Sequence, residues 1–160
     1  MMDREQVLAS LCYVRENNHT LMLHRITKDN DIHEGKWNGL GGKFEPGETP
    51  EECVRREVQE EAGIKLEEET LEGVLTFPMF DGNRDWYVFV FTSESFSGEP
   101  VEESREGELH WIPNEELLDL NLWEGDRYFL RWLDEPDLFS GKFVYEDEAL
   151  VDHDVEFYPI

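Results

Sequence analysis

The sequence is poor in positive charge, poor in cysteine and without any long apolar run. Its 160 residues include 14 Lys and Arg against 39 Asp and Glu, a formal net charge of −25. A surface so negative repels polyphosphate chains, which argues against polymeric DNA or RNA as a partner. The two cysteines, Cys12 and Cys53, offer neither a disulfide framework nor a zinc-finger spacing, and they suit a reducing compartment. No stretch approaches the ~20 apolar residues of a membrane span. The N-terminal MMDREQVLAS carries acid early and lacks the apolar core of a signal peptide. The expectation is a cytoplasmic protein with no membrane partner. Internal repeats, low-complexity tracts and linker-like composition are also missing, so residues 1–160 are expected to form one domain.

What is present is enough apolar material for a core. Hydrophobic residues make up 39% of the chain, with ten Phe, five Trp and five Tyr. A disordered acidic chain would have few aromatics. The excess of acid is either a solubilising surface or a supply of metal-holding groups. Composition does not separate these two readings, but position does.

The pattern along the chain mixes strands and helices. Val7 to Val14 and Thr20 to Leu23 are predicted strands joined by a turn over Arg15 to Thr20. Residues Lys28 to Gly42, rich in Gly, Asn and Asp, are predicted to be a long loop of the kind that often carries function. A helix follows with strong boundary signals. Thr49 suits the N-cap, Pro50 the first helical position, and Glu52 completes a capping box, while Gly63 suits the C-terminal stop. Val54, Val58 and Ala62 form its buried stripe. Val74 to Phe80 and Trp86 to Thr92 are predicted strands with a turn at Asp81-Gly82-Asn83, and Leu109 to Ile112 is a short strand. Glu115 to Leu118 begins a helical stretch, Trp123 to Leu133 is a helix, and Phe143 to Tyr145 and Val155 to Tyr158 are late strands. The fold class is α/β.

The helix after Thr49 carries an anomaly. Glu57, Glu60 and Glu61 fall within one arc of roughly 100°, away from the apolar stripe. Such acids repel one another by a few tenths of a kcal/mol per pair, and they sit late in the helix, where the dipole disfavours anions. A helix selected for stability alone would place Lys at one of these positions. A hard divalent cation removes the repulsion, since Mg²⁺ takes oxygen ligands and keeps positions open for water and phosphate oxygens. Upstream, Gly39-Leu40-Gly41-Gly42 reads as a glycine-rich turn that lets backbone approach a ligand.

Read together, Gly42, Glu48 and the run Arg56-Glu57-Val58-Gln59-Glu60-Glu61-Ala62-Gly63-Ile64 match G-x5-E-x7-R-E-U-x-E-E-x-G-U, where U is a bulky aliphatic residue. Nine specified positions at fixed spacing are met, far more than a lone glycine motif offers. This is the signature of the Nudix hydrolase superfamily, which the chain resembles. The likeness extends to Gly35-Lys36-Trp37-Asn38-Gly39-Leu40-Gly41-Gly42-Lys43, Gly98-Glu99-Pro100-Val101-Glu102, Trp111, Trp123 and the segment from Phe139 to Tyr158. In those segments the chain is similar to the MutT-type 8-oxo-dGTP diphosphatases, hydrolases of oxidised purine nucleoside triphosphates.

The resemblance implies a Nudix fold, a mixed β-sheet sandwiched between α-helices. It implies that Glu57, Glu60 and Glu61 ligate Mg²⁺, with Mn²⁺ as an alternative ion, and that the Gly42 carbonyl adds an oxygen. Arg56 and Glu48 would brace the loop and helix, and Gly63 would end the helix. Glu106 would bind metal or act as general base, with Glu102, Glu103 and Glu108 as competitors. The ion would lower the pKa of a bound water, which attacks phosphorus and yields a nucleoside monophosphate and pyrophosphate. Asn38 and Trp123 match purine-pocket positions, where an amide pairs with base edges and an indole stacks. Lys43 is expected at the substrate, and Phe77 and Met79 near the pocket, with Ser10 a further lining residue. Asp126 matches one of two adjacent acids that read the purine, and Gly125 departs from the pattern at the other. Two alternatives remain open: another nucleotide substrate, such as an ordinary dNTP, ADP-ribose or a dinucleotide polyphosphate, or a non-catalytic nucleotide-binding module.

Overall fold

The sheet begins with a strand that has to serve three neighbours. In the computed structural model, which describes residues 3–26 and 33–160, β1 (Glu5–Glu16) turns directly into β2 (His19–His24). Asn17 and Asn18 both take positive φ, the conformation a two-residue hairpin loop needs and one that Asn tolerates. One edge of β1 pairs in parallel with β6 (Arg84–Ser97), from Glu5 opposite Arg84 to Val14 opposite Ser93. Its other edge is shared. Residues Ala9 to Cys12 pair with β4 (Leu40–Lys43), and Val14 to Glu16 pair with β2.

The expected loop over Lys28 to Gly42 is corrected at its C-terminal end. Trp37–Asn38 forms a short strand, β3, against β2, and the chain then crosses at Gly39 onto β1 as β4. The Gly-rich composition that suggested a loop reflects close packing instead. Residues 28–32 of that segment lie outside the described residues.

The other elements are longer than their apolar runs. β5 (Lys65–Asp81) and β6 form a long hairpin through Gly82 and Asn83, as expected, but β5 starts nine residues before Val74. The early part of β5, with Glu67, Glu68, Glu69 and Glu72, is held by its partner strand rather than by its own hydrophobicity. β7 (Glu108–Pro113) lies on the outer edge of β2. The helical stretch after Pro113 is a 3-10 helix (Asn114–Asp119). β8 (Leu138–Glu146) pairs in parallel with β5, and β9 (Ala149–Tyr158) closes the edge as its antiparallel hairpin partner.

Two helices cover this mixed sheet. α1 (Pro50–Ala62) has the capping box formed in full: Thr49 Oγ1 accepts from the Glu52 amide, and Glu52 accepts from the Thr49 amide. Gly63 ends it in the left-handed conformation at φ 74°. Its buried Val54, Val58 and Ala62 pack on Cys12, Val14, Leu21 and Leu23. The alternate residues Tyr13 and Met22 point to the other face, where Phe129 and Leu130 of α2 (Glu124–Trp132) pack. The sheet is therefore sandwiched, as the sequence implied. Among the described residues no helix is long and apolar enough to cross a membrane.

Val58 has no exposed surface at the centre of the α1 face. Val58→Ala is expected to lower stability by about 2 kcal/mol. Urea denaturation would show a lower midpoint at unchanged slope, and an unchanged midpoint would mean that α1 is not packed as described.

Candidate active site

The helix that carries the acids is fixed first by one ion pair. Arg56 reaches back to Glu48 with two parallel bonds, Nε to Oε2 at 2.7 Å and Nη2 to Oε1 at 2.9 Å. Its Nη2 also donates to the Lys43 carbonyl at 3.0 Å. The same guanidinium bonds Glu57 Oε1 at 2.7 Å and Glu60 Oε2 at 3.3 Å. Glu48 is held in turn by the Glu45 amide at 2.7 Å. These contacts tie β4, the following turn and the first half of α1 into one unit. Arg56 beside it, helped by the Glu45 amide, pulls the Glu48 carboxyl down to about 2.

The carboxylates then line one cleft. Glu57, Glu60, Glu61 and Glu106 all border it, with Gly41, Gly42, Lys43, Arg25 and Arg56. Glu102, Glu103 and Glu108, the competitors of Glu106, do not line it. The glycines that read as a turn are strand residues here, and their role is close approach. The Gly41 amide donates to Glu61 Oε1 at 2.7 Å, and a Cβ on Gly42 would stand 2.5 Å from the Glu57 carboxylate. The Gly42 carbonyl accepts from the Cys53 thiol at 3.4 Å. Glu106 pairs with Arg25 at 3.0 Å.

The donor set fits a hard divalent cation. Glu61 is half-buried, and its carboxyl is pushed up to about 8, chiefly by loss of solvent around it and further by the neighbouring charges of Glu57 and Glu106. The Gly41 amide and Arg25 offset this only in part. Among the described residues no three His, Cys, Asp or Glu side chains already converge on one point. Glu57 and Glu60 instead turn to Arg56, the nearest positive charge. A cation of higher charge density would compete for these oxygens.

A second, aromatic pocket adjoins the cleft. Asn38, Phe77, Trp123 and Asp126 all line it, together with Ser10, Phe80, Phe129 and Tyr145. Arg25, His33, Gly41, Gly42, Glu61, Asp81 and Trp86 border both spaces and form their common wall. Trp123 caps α2 and is 5% exposed, with Nε1 donating to His33 Nδ1 at 2.9 Å. It belongs to the core and the pocket at once. Asp126 is buried beside it, and burial pushes its carboxyl up to about 7. Lys43 is not in this pocket. It lines the carboxylate cleft, with Nζ 5.5 Å from the centre of the Trp86 ring.

Met79, which the resemblance places near the pocket, borders an adjoining space with Phe80, Trp123 and Tyr145 and does not line the aromatic pocket itself. An irregularity between Phe77 and Asp81 interrupts the pairing with β6, and Met79 sits at φ 48°. The shift exposes Met79 and turns Phe80 onto Trp123, with ring centres 5.3 Å apart. Arg25, His33, Phe80 and Tyr145 are pocket residues that sequence reasoning did not find. Phe80 and Tyr145 each end a predicted strand and His33 lies in the predicted loop, but nothing local marks any of them as a pocket residue.

The chain belongs to the NUDIX domain family, whose description matches residues 5–133, and it is a Nudix hydrolase. It is 33% identical over 141 residues to the Nudix hydrolase YvcI of Bacillus subtilis (strain 168), covering 86% of this chain and 85% of that one. It is 31% identical over 117 residues to the oxidized purine nucleoside triphosphate hydrolase of Mus musculus, covering 73% and 74%. The crystal structure of the MutT protein from Bacillus halodurans superposes with a TM-score of 0.83 at 30% identity, covering 94% of this chain and 97% of that one.

Two outcomes follow from this geometry. Arg56→Lys keeps a charge but loses the two-pronged bond to Glu48, and it should cost about 2 kcal/mol. The double variant with Glu48→Gln should cost less than the sum of the two single changes in a denaturation cycle, and simple additivity would mean that the pair does not couple. The second outcome concerns Asp126, held at about 7 in the fold against about 3.9 for an unfolded Asp. The folded state binds this proton more tightly, so the stability it contributes is full below about pH 4 and is lost as pH rises through 7. Between pH 5 and 8 the wild-type Tm should fall more steeply than that of Asp126→Asn, and equal slopes would show that the carboxyl titrates normally.

Proposed function

We propose that this chain hydrolyses oxidised purine deoxynucleoside triphosphates, 8-oxo-dGTP foremost, to the monophosphate and pyrophosphate with Mg²⁺. One observation carries the reading. An aromatic pocket with Asn38 and Asp126 on its walls shares Gly41 and Gly42 with a cleft that Glu57, Glu60, Glu61 and Glu106 line. A base in the first space leaves its phosphates in the second. The likeness to the mouse enzyme, named for oxidised purine triphosphates, supports the same substrate class. We further propose that residues 1–160 act as one domain in the cytoplasm, on the free nucleotide pool.

Glu57, Glu60, Glu61 and Glu106 would hold the ion, with the Gly42 carbonyl as a further oxygen donor. Magnesium, when bound there, would supply charge neutralisation and a water of lowered pKa. Manganese offers similar oxygen chemistry and would substitute. Glu106 would accept a proton from the attacking water, with Arg25 orienting its carboxylate through the 3.0 Å pair. Arg25 and Lys43, which line the cleft, would supply positive charge to the phosphates. Arg56 and Glu48 would hold the helix and its approach rather than touch substrate. In the pocket, Trp123 and Phe77 would enclose the ring, while Asn38 and Asp126 pair with its edges.

A second reading is favoured by Gly125, which stands where the resemblance calls for another acid. It keeps the chemistry and moves the preference to an ordinary dNTP. Relative kcat/KM on 8-oxo-dGTP, dGTP, ADP-ribose and a dinucleotide polyphosphate separates the two. A preference for 8-oxo-dGTP above tenfold, about 1.4 kcal/mol, supports the first reading, and a better alternative substrate overturns it.

Glu57→Gln and Glu61→Gln should each keep the fold and lose at least about a hundredfold in turnover. Chelation should abolish activity, and added Mg²⁺ should restore it. Near-normal turnover in either variant would remove the metal assignment. Phosphorus NMR of the products should show monophosphate and pyrophosphate, and two orthophosphates would contradict the cleavage proposed.

A further inference from the structure

Tyr145 lies in β8, beyond the residues matched by the family, and nothing in the reaction proposed above uses it. Its ring is buried edge-on against Trp123, with centres 5.4 Å apart and planes at 82°, and against Phe80 at 5.5 Å and 80°. Its hydroxyl oxygen accepts the Gly125 amide at 2.6 Å. The contact requires glycine at that position. A Cβ on residue 125 would stand 2.7 Å from the hydroxyl oxygen and 2.9 Å from the Phe143 ring.

A phenol that accepts one hydrogen bond still has a proton to donate. Among the described residues the hydroxyl makes the bond to Gly125 and gives its proton to no acceptor. Tyr145 lines the aromatic pocket, where a bound base would offer an acceptor. The Gly125 amide polarises the O–H and strengthens the bond it gives.

The placement of the pocket selects the part of the base that arrives. Tyr145, Trp123 and Asp126 line the aromatic pocket but not the carboxylate cleft, so they form the end farther from the phosphates. In a purine nucleotide the sugar leaves from the five-membered ring. The six-membered edge, with its substituent at position 6, therefore points to this end. A carbonyl there accepts the proton of Tyr145, whereas an amino group meets a donor and leaves both unpaired.

Resting on the nucleotide reading of this site, we propose that Tyr145 is a specificity-determining residue. Its hydroxyl, held by the Gly125 amide, donates to the 6-carbonyl oxygen of the bound purine and selects 6-oxo over 6-amino bases.

Tyr145→Phe keeps the ring and removes the hydroxyl. Dissociation constants for 8-oxo-dGMP and 8-oxo-dAMP, read by tryptophan fluorescence with Mg²⁺ present, test the bond without requiring turnover. The variant should bind 8-oxo-dGMP about tenfold more weakly and keep 8-oxo-dAMP within about twofold. An equal loss on both ligands, or an unchanged ratio, overturns the proposal. A second arm needs no mutation. The wild type should bind an 8-oxopurine nucleotide lacking the 6-oxygen about tenfold more weakly than 8-oxo-dGMP, and equal binding overturns the proposal even if the variant fails to fold. If the wild type turns over no nucleoside triphosphate yet shows this split in binding, the reaction reading fails and the role of Tyr145 stands. If it turns over triphosphates without the split, the reverse holds.

Discussion

Everything in this site depends on holding like charges together. Six carboxylates, Glu57, Glu60, Glu61 and Glu106 with Glu45 and Asp81, line one cleft in a chain that already carries a net charge of −25. Arg56 makes that arrangement tolerable. It bonds Glu48 with both prongs, touches Glu57 and Glu60, and anchors to the Lys43 carbonyl. A lysine could neutralise one of these acids, but it could not span all of them from one planar group. Glu61 lies beyond the reach of Arg56 and leans on the Gly41 amide, and burial keeps its carboxyl well above the ordinary range. The cleft is thus balanced on its outer side and short of positive charge on its inner side. That imbalance makes it receptive to a divalent ion.

The second constraint is the strand that both spaces share. Because β1 gives part of its edge to β4 and part to β2, the segment Trp37 to Lys43 can begin against one strand and finish against the other. Asn38 faces the aromatic pocket near the start of this segment, and Gly41 and Gly42 face the acids near its end. Moving the strand by one residue would exchange the faces and separate the aromatic pocket from the acids. The β1 pairing that fixes its position also fixes the distance between the two halves of the site.

Much of this was legible in the sequence where the signals are local. The capping box, the stop at Gly63, the apolar stripe and the arc of three acids all lie on one helix, and the structure places them as read. Pocket residues from distant segments, Asn38, Phe77, Trp123 and Asp126, also lie together, a grouping that came from family likeness rather than from periodicity. Three features were hidden for physical reasons. The strand at Leu40 to Lys43 has the composition of a loop because β1 and Glu57 crowd it. Phe80 replaced Met79 because a pairing irregularity breaks simple alternation. Arg25 gives no sign of its place until β7 and its preceding loop bring Glu106 against it.

The parallel pairings have a consequence for how the protein comes into being. Glu5 must find Arg84, and Gly73 must find Phe139, before the sheet is complete. Contacts so distant in sequence are slow to form. During synthesis the acid-bearing helix leaves the ribosome well before β8, which supplies Tyr145 to the aromatic pocket. A nascent chain can therefore carry the charged half of the site while the aromatic half is still incomplete. A nucleotide bound across both halves, as proposed, would stabilise only the finished sheet, and its binding energy would add to the cohesion between β1 and β8.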